Sequence, residues 1–185
     1  MGRHTTYIVL FRGVGGATLL PVQPLKAALI EDGFERVATY INTGNVVLTS
    51  GLSPRQIVQR VAAITLEKFA FSKAIMIVSR PKWKKLIANN PFPERTAEGN
   101  KLHAYLMEKE PDAEAVEALN RKALGLPEQF EIVDKVLYYY PPQGASESKL
   151  HGKIESTLKV ATTARNWNTV LKLEQLADRQ DKEMR

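Results

Sequence analysis

From Thr5 to Phe11 the chain reads Thr-Thr-Tyr-Ile-Val-Leu-Phe, an apolar run with no polar position after Thr6. Its length and its β-branched and aromatic character predict a strand covered on both faces. The period changes over Pro21 to Asp32. There Leu25, Ala28 and Leu29 recur at helical spacing, and Gly33 suits the left-handed position that closes a helix. Val37 to Ile41 and Val46 to Ser50 predict paired strands across Asn42-Thr43-Gly44-Asn45, whose Gly and Asn tolerate positive φ. Ser53 is placed to cap a helix with Pro54 at its first position and Ile57, Val61 and Ile64 on one stripe, ending near Phe69. Ala74 to Ser79 is a further apolar strand.

The resulting order is strand, helix, strand, strand, helix, strand, the split βαβ or ferredoxin-like arrangement. A short basic helix over Pro81 to Ala88 follows. Asn89-Asn90-Pro91-Phe92-Pro93 then breaks the chain, and Glu94 to Lys101 reads as a polar loop. The same order recurs afterwards. Leu102 to Met107 is a strand, Pro111 to Leu124 a helix closed by Gly125, and Gln129 to Val133 with Val136 to Tyr140 a hairpin across Asp134-Lys135. Ser146 or Ser148 can cap a helix reaching Leu158, and Val160 to Thr163 completes the set. A final helix from Arg165 to Ala177 is expected, with Asp178 to Arg185 frayed. The expectation is an α+β fold, a tandem duplication of two ferredoxin-like (βαββαβ) units with an additional C-terminal helix. Residues 1–80 form the first unit, 81–101 the connection, and 102–185 the second unit with that helix. A ligand is expected in the crevice between the halves.

Composition narrows the class. With 44% hydrophobic and 25% charged residues the 185-residue chain falls among globular proteins rather than disordered ones. No apolar run is long enough to span a bilayer, and the run after Thr6 is too short for a signal-peptide core. Cysteine is absent, which removes thiolate chemistry and Cys-based metal sites and fits a cytoplasmic protein. The net charge of +6 is spread, densest at Lys82-Trp83-Lys84-Lys85, and favours a polyanion or anionic ligand only generally. His4, His103 and His151 lie far apart in sequence without metal-ligand spacing, so no metal or cofactor is expected.

Four segments carry candidate chemistry. Arg12-Gly13-Val14-Gly15-Gly16 follows a buried strand, so its backbone N–H groups can cradle a phosphate or its glycines can serve a turn. Arg12 at the strand end is a candidate for a partly buried cation facing an anion. Thr43-Gly44-Asn45 is either a hairpin turn or part of a site. Ser146 and Lys149 have the spacing of one helix face, as in some acyl-transfer enzymes, with His151 nearby; the alternative is a helix cap with a solvated lysine. In Arg165-Asn166-Trp167-Asn168 the indole either stacks on a ligand ring, with its neighbours bonding phosphate or base edges, or packs in the core while Thr163 or Asn166 caps a helix.

Tyr7-Ile8-Val9-Leu10-Phe11-Arg12-Gly13-Val14-Gly15-Gly16, Tyr40-Ile41-Asn42-Thr43-Gly44-Asn45-Val46-Val47-Leu48, Asn90-Pro91-Phe92, Ser148-Lys149-Leu150 and Arg165 to Val170 resemble motifs of one family. These are the Y-I-x-L-L-R-G-I-N-V-G-G, Y-I-x-S-G-N-V-V-F, N-P-F, S-K-L and R-N-W-N-T-V segments of the bacterial domain-of-unknown-function 1697 family. The resemblance covers nearly the whole chain and implies duplicated ferredoxin-like units. Here the family's I-N-V shrinks to Val14, so its Asn is missing. The resemblance brings no substrate.

Three functional readings follow. The first is a binding protein that holds a small anionic or nucleotide-like ligand with Arg12, Gly13, Asn45, Lys149, Arg165, Asn166, Trp167 and Asn168. The second is an enzyme on a small phosphorylated or anionic metabolite with Lys149 or His151 as proton donor. The third is single-stranded nucleic-acid binding on an exposed sheet face. There Tyr138-Tyr139-Tyr140 offers at most two rings to one side, because successive residues point oppositely.

Overall fold

The computed structural model describes residues 4–14, 18 and 20–183 of the chain. The fold is α+β, with two four-stranded antiparallel sheets and a C-terminal helix. It divides into two compact units. The first comprises the chain up to Lys85, joined by the segment from Lys172; the second is Leu86–Leu171. The end of the chain therefore belongs with the first unit rather than with residues 102–171.

In the first unit β1 (Thr5–Phe11), α1 (Val22–Glu31), β2 (Glu35–Thr39), β3 (Asn45–Ser50), α2 (Pro54–Phe69) and β4 (Ile75–Ser79) follow in order, then α3 (Arg80–Ala88). The sheet order is β2-β3-β1-β4, so the first strand is central. Ser53 and Gln56 form a full capping box at the start of α2, as the Ser-Pro pair predicts, and Gly33 takes φ +91° after α1. Tyr7, Val9, Phe11, Val46 and Leu48 pack with Leu25, Leu29, Ile57 and Val61. The opposite face of the same strands, Thr6, Ile8, Leu10, Val47 and Thr49, is buried as well, which explains the unbroken apolar run of β1.

The end of the chain meets that second face. The final helix, α6, runs over Trp167–Glu183. The residues expected to fray are instead helical to Glu183 and tied down by side chains. Asp181 accepts a 2.6 Å hydrogen bond from the Thr6 hydroxyl. Gln180, nearly fully buried, accepts from Thr49 at 3.3 Å and donates to the carbonyls of Val47 and Arg36. The Arg36 carbonyl is available because β2 bulges between Glu35 and Ala38, with Arg36 at φ +50°. Arg80 adds charge to this network. Its guanidinium, only 11% exposed, reaches Glu174 at 2.9 Å and Asp178 at 2.7 Å, and also bonds Asp181. Burial pulls the Arg80 pKa down, but the bonds to Asp181 and Glu174 outweigh it and the net shift is upward.

In the second unit β5 (His103–Met107), α4 (Ala113–Ala123), β6 (Gln129–Val133), β7 (Val136–Tyr140), α5 (Ile154–Leu158) and β8 (Thr162–Asn166) form a sheet ordered β6-β7-β5-β8. Its core holds Tyr105, Met107, Leu119, Leu137, Tyr139, Leu150, Ile154 and Leu158. Two expectations fail here. The helix expected up to Leu158 is two 3-10 turns, Ala145–Glu147 and His151–Lys153, with α-helix confined to Ile154–Leu158. The Ser148 backbone is extended, so Ser146 and Lys149 do not share a helix face. The last strand lies further along than Val160 to Thr163. Lys159 at φ +54° ends α5, and Thr162–Asn166 pairs with β5. Arg165 and Asn166 are thus strand residues, and the helix begins at Trp167.

The Arg80 network supplies a test of how the chain end is held. Arg80→Ala leaves three carboxylates facing one another and should destabilise the protein by about 2–3 kcal/mol, below the figure for a fully buried pair because the carboxylates remain partly wet. Urea denaturation of Arg80→Ala against Arg80→Lys checks it, with Lys recovering only part of the loss because it lacks the fork geometry.

Candidate functional site

The candidate residues read from sequence divide between the units, with Arg12, Gly13 and Asn45 in the first and Lys149, Arg165, Asn166, Trp167 and Asn168 in the second. Arg12 is half-buried at the end of β1, and its N–H bonds the Ala74 carbonyl at 3.0 Å. Gly13, at φ +63°, receives the Lys73 ammonium on its carbonyl at 3.1 Å. Gly15 and Gly16, on which the phosphate-cradle reading rests, lie outside the described residues. Asn45 donates at 3.0 Å to both the Tyr40 carbonyl and the Thr43 hydroxyl, which pins the hairpin turn. Gly44 is needed there. It sits at φ +75°, and a Cβ would meet Phe11 at 2.7 Å and Val14 at 2.8 Å.

The Arg165–Asn168 segment is built as structure. Asn166 accepts the Thr169 N–H at 2.9 Å, capping α6. Trp167 is 2% exposed and lies beside Tyr138. The Trp167 backbone N–H bonds the Leu102 carbonyl at 2.8 Å. Arg165 donates to Thr163 Oγ1 at 3.0 Å and to the Ala164 carbonyl at 2.8 Å, and burial lowers its pKa to about 10, which still leaves it charged at neutral pH. Asn168 is exposed, with its backbone N–H on the Gly99 carbonyl and its side chain against the Gly99 Cα. A Cβ at Gly99 would lie 2.2 Å from Asn168 Oδ1. The sequence gives no sign of this close approach, because Gly99 stands in what reads as a polar loop.

The same sheet face carries no open stack of rings. Tyr138 pairs in register with Ala104, and Tyr139 with His103, so the tyrosines alternate as their positions require. All three are buried. Tyr138 O–H donates to the Leu86 carbonyl at 2.6 Å, and Tyr140 O–H to Glu98 at 2.7 Å under the Arg95 guanidinium.

A different group of residues converges on the other face. Tyr105 and His103 stand two apart on β5 and Tyr139 pairs across from His103, so the three share a side. The 3-10 turn at His151–Lys153 lays the His151 ring among them, with ring centroids 5.9 Å from Tyr105, 6.3 Å from Tyr139 and 6.1 Å from His103. Ser148 holds that turn in place. Its Oγ accepts the N–H groups of Leu150 at 3.0 Å and His151 at 2.9 Å, donates to Glu128 at 3.0 Å, and also bonds Tyr139 O–H. Those bonds occupy the lone pairs and the proton, so Ser148 is an anchor rather than a free nucleophile. Glu128, 7% exposed, also accepts from Gln143 at 3.1 Å. Its other oxygen is buried with no hydrogen-bond partner among the described residues.

Both imidazoles are fixed through Nδ1. His103 Nδ1 lies 2.5 Å from the Lys101 carbonyl, and His151 Nδ1 bonds the Tyr105 hydroxyl. A carbonyl only accepts, so His103 carries its proton on Nδ1 and leaves a lone pair on Nε2. The Tyr105 hydroxyl can donate to or accept from His151 Nδ1, and when it donates His151 carries its proton on Nε2. No described residue bonds either Nε2. Both rings are partly exposed. Burial lowers the pKa of His151. Burial also lowers that of His103, where the Lys101 carbonyl partly offsets it and the neighbouring His151 adds to it. Both rings are therefore neutral at pH 7. Tyr105 is pushed well up by burial, and Tyr139 to about 12 by burial despite its bond to Ser148. Lys149 and Lys153 flank His151, exposed, with no partner among the described residues. Glu155 is engaged with Thr162 and Glu128 with Ser148, which leaves Glu147 as the exposed carboxylate of this segment. Among the described residues no three His, Cys, Asp or Glu gather as a metal site, and no helix is long and apolar enough to cross a membrane.

A family model described as a protein of unknown function (DUF1697) matches residues 4–138. The chain belongs to this family. The match stops short of Ser148 and of the Arg165–Val170 segment. Among solved structures, the conserved bacterial protein SP0830 from Streptococcus pneumoniae is similar, with a TM-score of 0.68 and 22% identity over 95% of this chain and 99% of that one. At that identity the likeness speaks for the fold alone. No curated protein matches the DUF1697 chain.

Two outcomes are expected from this geometry. Gly99→Ala should cost about 1–2 kcal/mol by overpacking against Asn168, and Asn168→Ala on that background should recover most of it in thermal unfolding. The two histidines have folded pKa values below their unfolded value near 6.5. The unfolded chain binds more protons in that range, so their contribution is complete above the unfolded pKa and is lost as pH falls below it. Urea midpoints at pH 5.5 should lie below those at pH 7.5, and the difference should shrink in the His103→Gln/His151→Gln double variant.

Proposed function

We propose that the protein binds a small anionic ligand at the His103–His151 site of its second unit. The observation that carries this reading is the pair of neighbouring imidazoles anchored through Nδ1, with neither Nε2 bonded among the described residues. Two fixed, pre-oriented polar groups lose little freedom on binding. Lys149 and Lys153 add positive charge at the rim, and this is where Lys149 keeps the ligand role expected of it. In this reading Arg165, Asn166, Trp167 and Asn168 support the sheet and α6. The strand orders β2-β3-β1-β4 and β6-β7-β5-β8 support reading each unit as ferredoxin-like and the chain as a tandem duplication. A chain without cysteine fits a cytoplasmic setting.

A second reading has one observation in its favour. The Nε2 lone pair that the Lys101 carbonyl imposes on His103 suits a general base at neutral pH. An enzyme acting on a small phosphorylated metabolite would use it so, with His151 as hydrogen-bond donor.

Calorimetric titration with inorganic phosphate and with adenosine 5′-monophosphate tests the binding reading. His103→Gln and His151→Gln should each weaken binding about tenfold or more, and Lys149→Ala/Lys153→Ala several-fold, with every variant still folded at the titration temperature. Binding untouched by either histidine substitution would place the ligand elsewhere. Turnover of a phosphomonoester that is lost in His103→Gln with binding intact would favour the enzyme.

A further inference from the structure

We infer that this site selects oxyanions that still carry a proton, as inorganic phosphate does near neutral pH, over fully ionised oxyanions such as sulfate. The inference rests on the reading of the His103–His151 site as an anion site and adds what it demands of the anion. The Lys101 carbonyl 2.5 Å from His103 Nδ1 has no proton to give, so it fixes the N–H on that nitrogen. The Nε2 of His103 is then an acceptor. An anion oxygen placed against it meets lone pair against lone pair unless the anion supplies a hydrogen. His151 is the complement. With the Tyr105 hydroxyl as donor to its Nδ1, its Nε2–H donates outward.

The two rings therefore offer one acceptor and one donor with centroids 6.1 Å apart. The rings are neighbours, and a single anion is taken to engage both, with hydrogen bonds of about 2.8 Å. A P–OH group satisfies the His103 acceptor while a P–O oxygen takes the His151 donor. Sulfate has no proton at neutral pH and can satisfy only one side. Unmatched polar groups in a site built for hydrogen bonding are what make selectivity large. Burial also disfavours the charged, doubly donating form of both rings.

The test compares inorganic phosphate with sulfate at pH 7.5 on the full chain, following the ring resonances of His103 and His151 by NMR during each titration. Phosphate should bind at least about tenfold more tightly than sulfate and shift both rings. His103→Lys, which puts a permanent donor at that position, should raise sulfate affinity and collapse the ratio towards one. Equal affinities in the native protein would overturn the selectivity while leaving an anion site standing. If neither anion moves either ring, the anion-site reading itself fails and the inference with it. A ratio unchanged in a folded His103→Lys variant would also overturn it, because discrimination would then not arise at His103.

Discussion

The hydroxyl of Ser148 is the contact on which the site depends. The segment after β7 has to cross the open face of a sheet without a long helix to satisfy its backbone, and buried amides left without partners are costly. Ser148 takes two of them, from Leu150 and His151, and passes its own proton to the buried Glu128. That one side chain turns the chain so that Leu150 enters the core and His151 lies over Tyr105 and Tyr139. Glu128 keeps the proton direction fixed, and Gln143 holds Glu128. The imidazole is thus a consequence of backbone accounting, and its other nitrogen is what remains for chemistry.

The two units solve the same problem differently. Between β3 and β4 the first unit places α2, a full helix with a capping box, and buries Ile57, Val61 and Ile64 from it. Between β7 and β8 the second unit places two 3-10 turns and the short α5. Shortening that helix takes apolar cover from the sheet and puts hydrogen-bonding side chains there. The first unit instead gains polar cover on its other face, where Gln180 and Asp181 of α6 answer Thr49, Thr6 and the carbonyl freed by the β2 bulge. Those side chains of the first unit pair with one another, whereas the two Nε2 atoms of the second unit find no bond among the described residues.

The parts of the fold legible in the sequence are those set by local chemistry. β1, β6 and β7 end where their apolar runs end, and Ser53-Pro54 marks α2 to the residue. The misplaced parts are those decided by distant partners. Asp178 to Glu183 reads as a fraying tail because its charges find Arg80 only in the folded chain. Arg165 and Asn166 read as helix because their strand partners, Ala104 and His103, are some sixty positions away. Segment 145–158 reads as one helix because serine, a helix cap in isolation, competes for backbone amides more effectively when a buried carboxylate takes its proton. The candidate site was missed for the same reason. His103 and His151 look solitary in sequence, and neither carries a spacing that points to the other. Only the pairing of β5 with β7 and the turn at Ser148 brings them together.

The proposed anion site rests on a small matter of proton placement. Lys101 and Tyr105 each claim one imidazole nitrogen, and with Tyr105 as donor the rings present an acceptor at His103 and a donor at His151. A site with both is polar, directional and rigid without carrying fixed charge of its own, and Lys149 and Lys153 supply the charge from outside it. The most direct measurement is the tautomer of each ring, read from long-range proton–nitrogen correlations on uniformly ¹⁵N-labelled protein at pH 7.5. The account predicts His103 protonated at Nδ1 with a bare Nε2, and His151 protonated at Nε2. A His103 ring protonated at Nε2, or exchanging freely between the two forms, would contradict it.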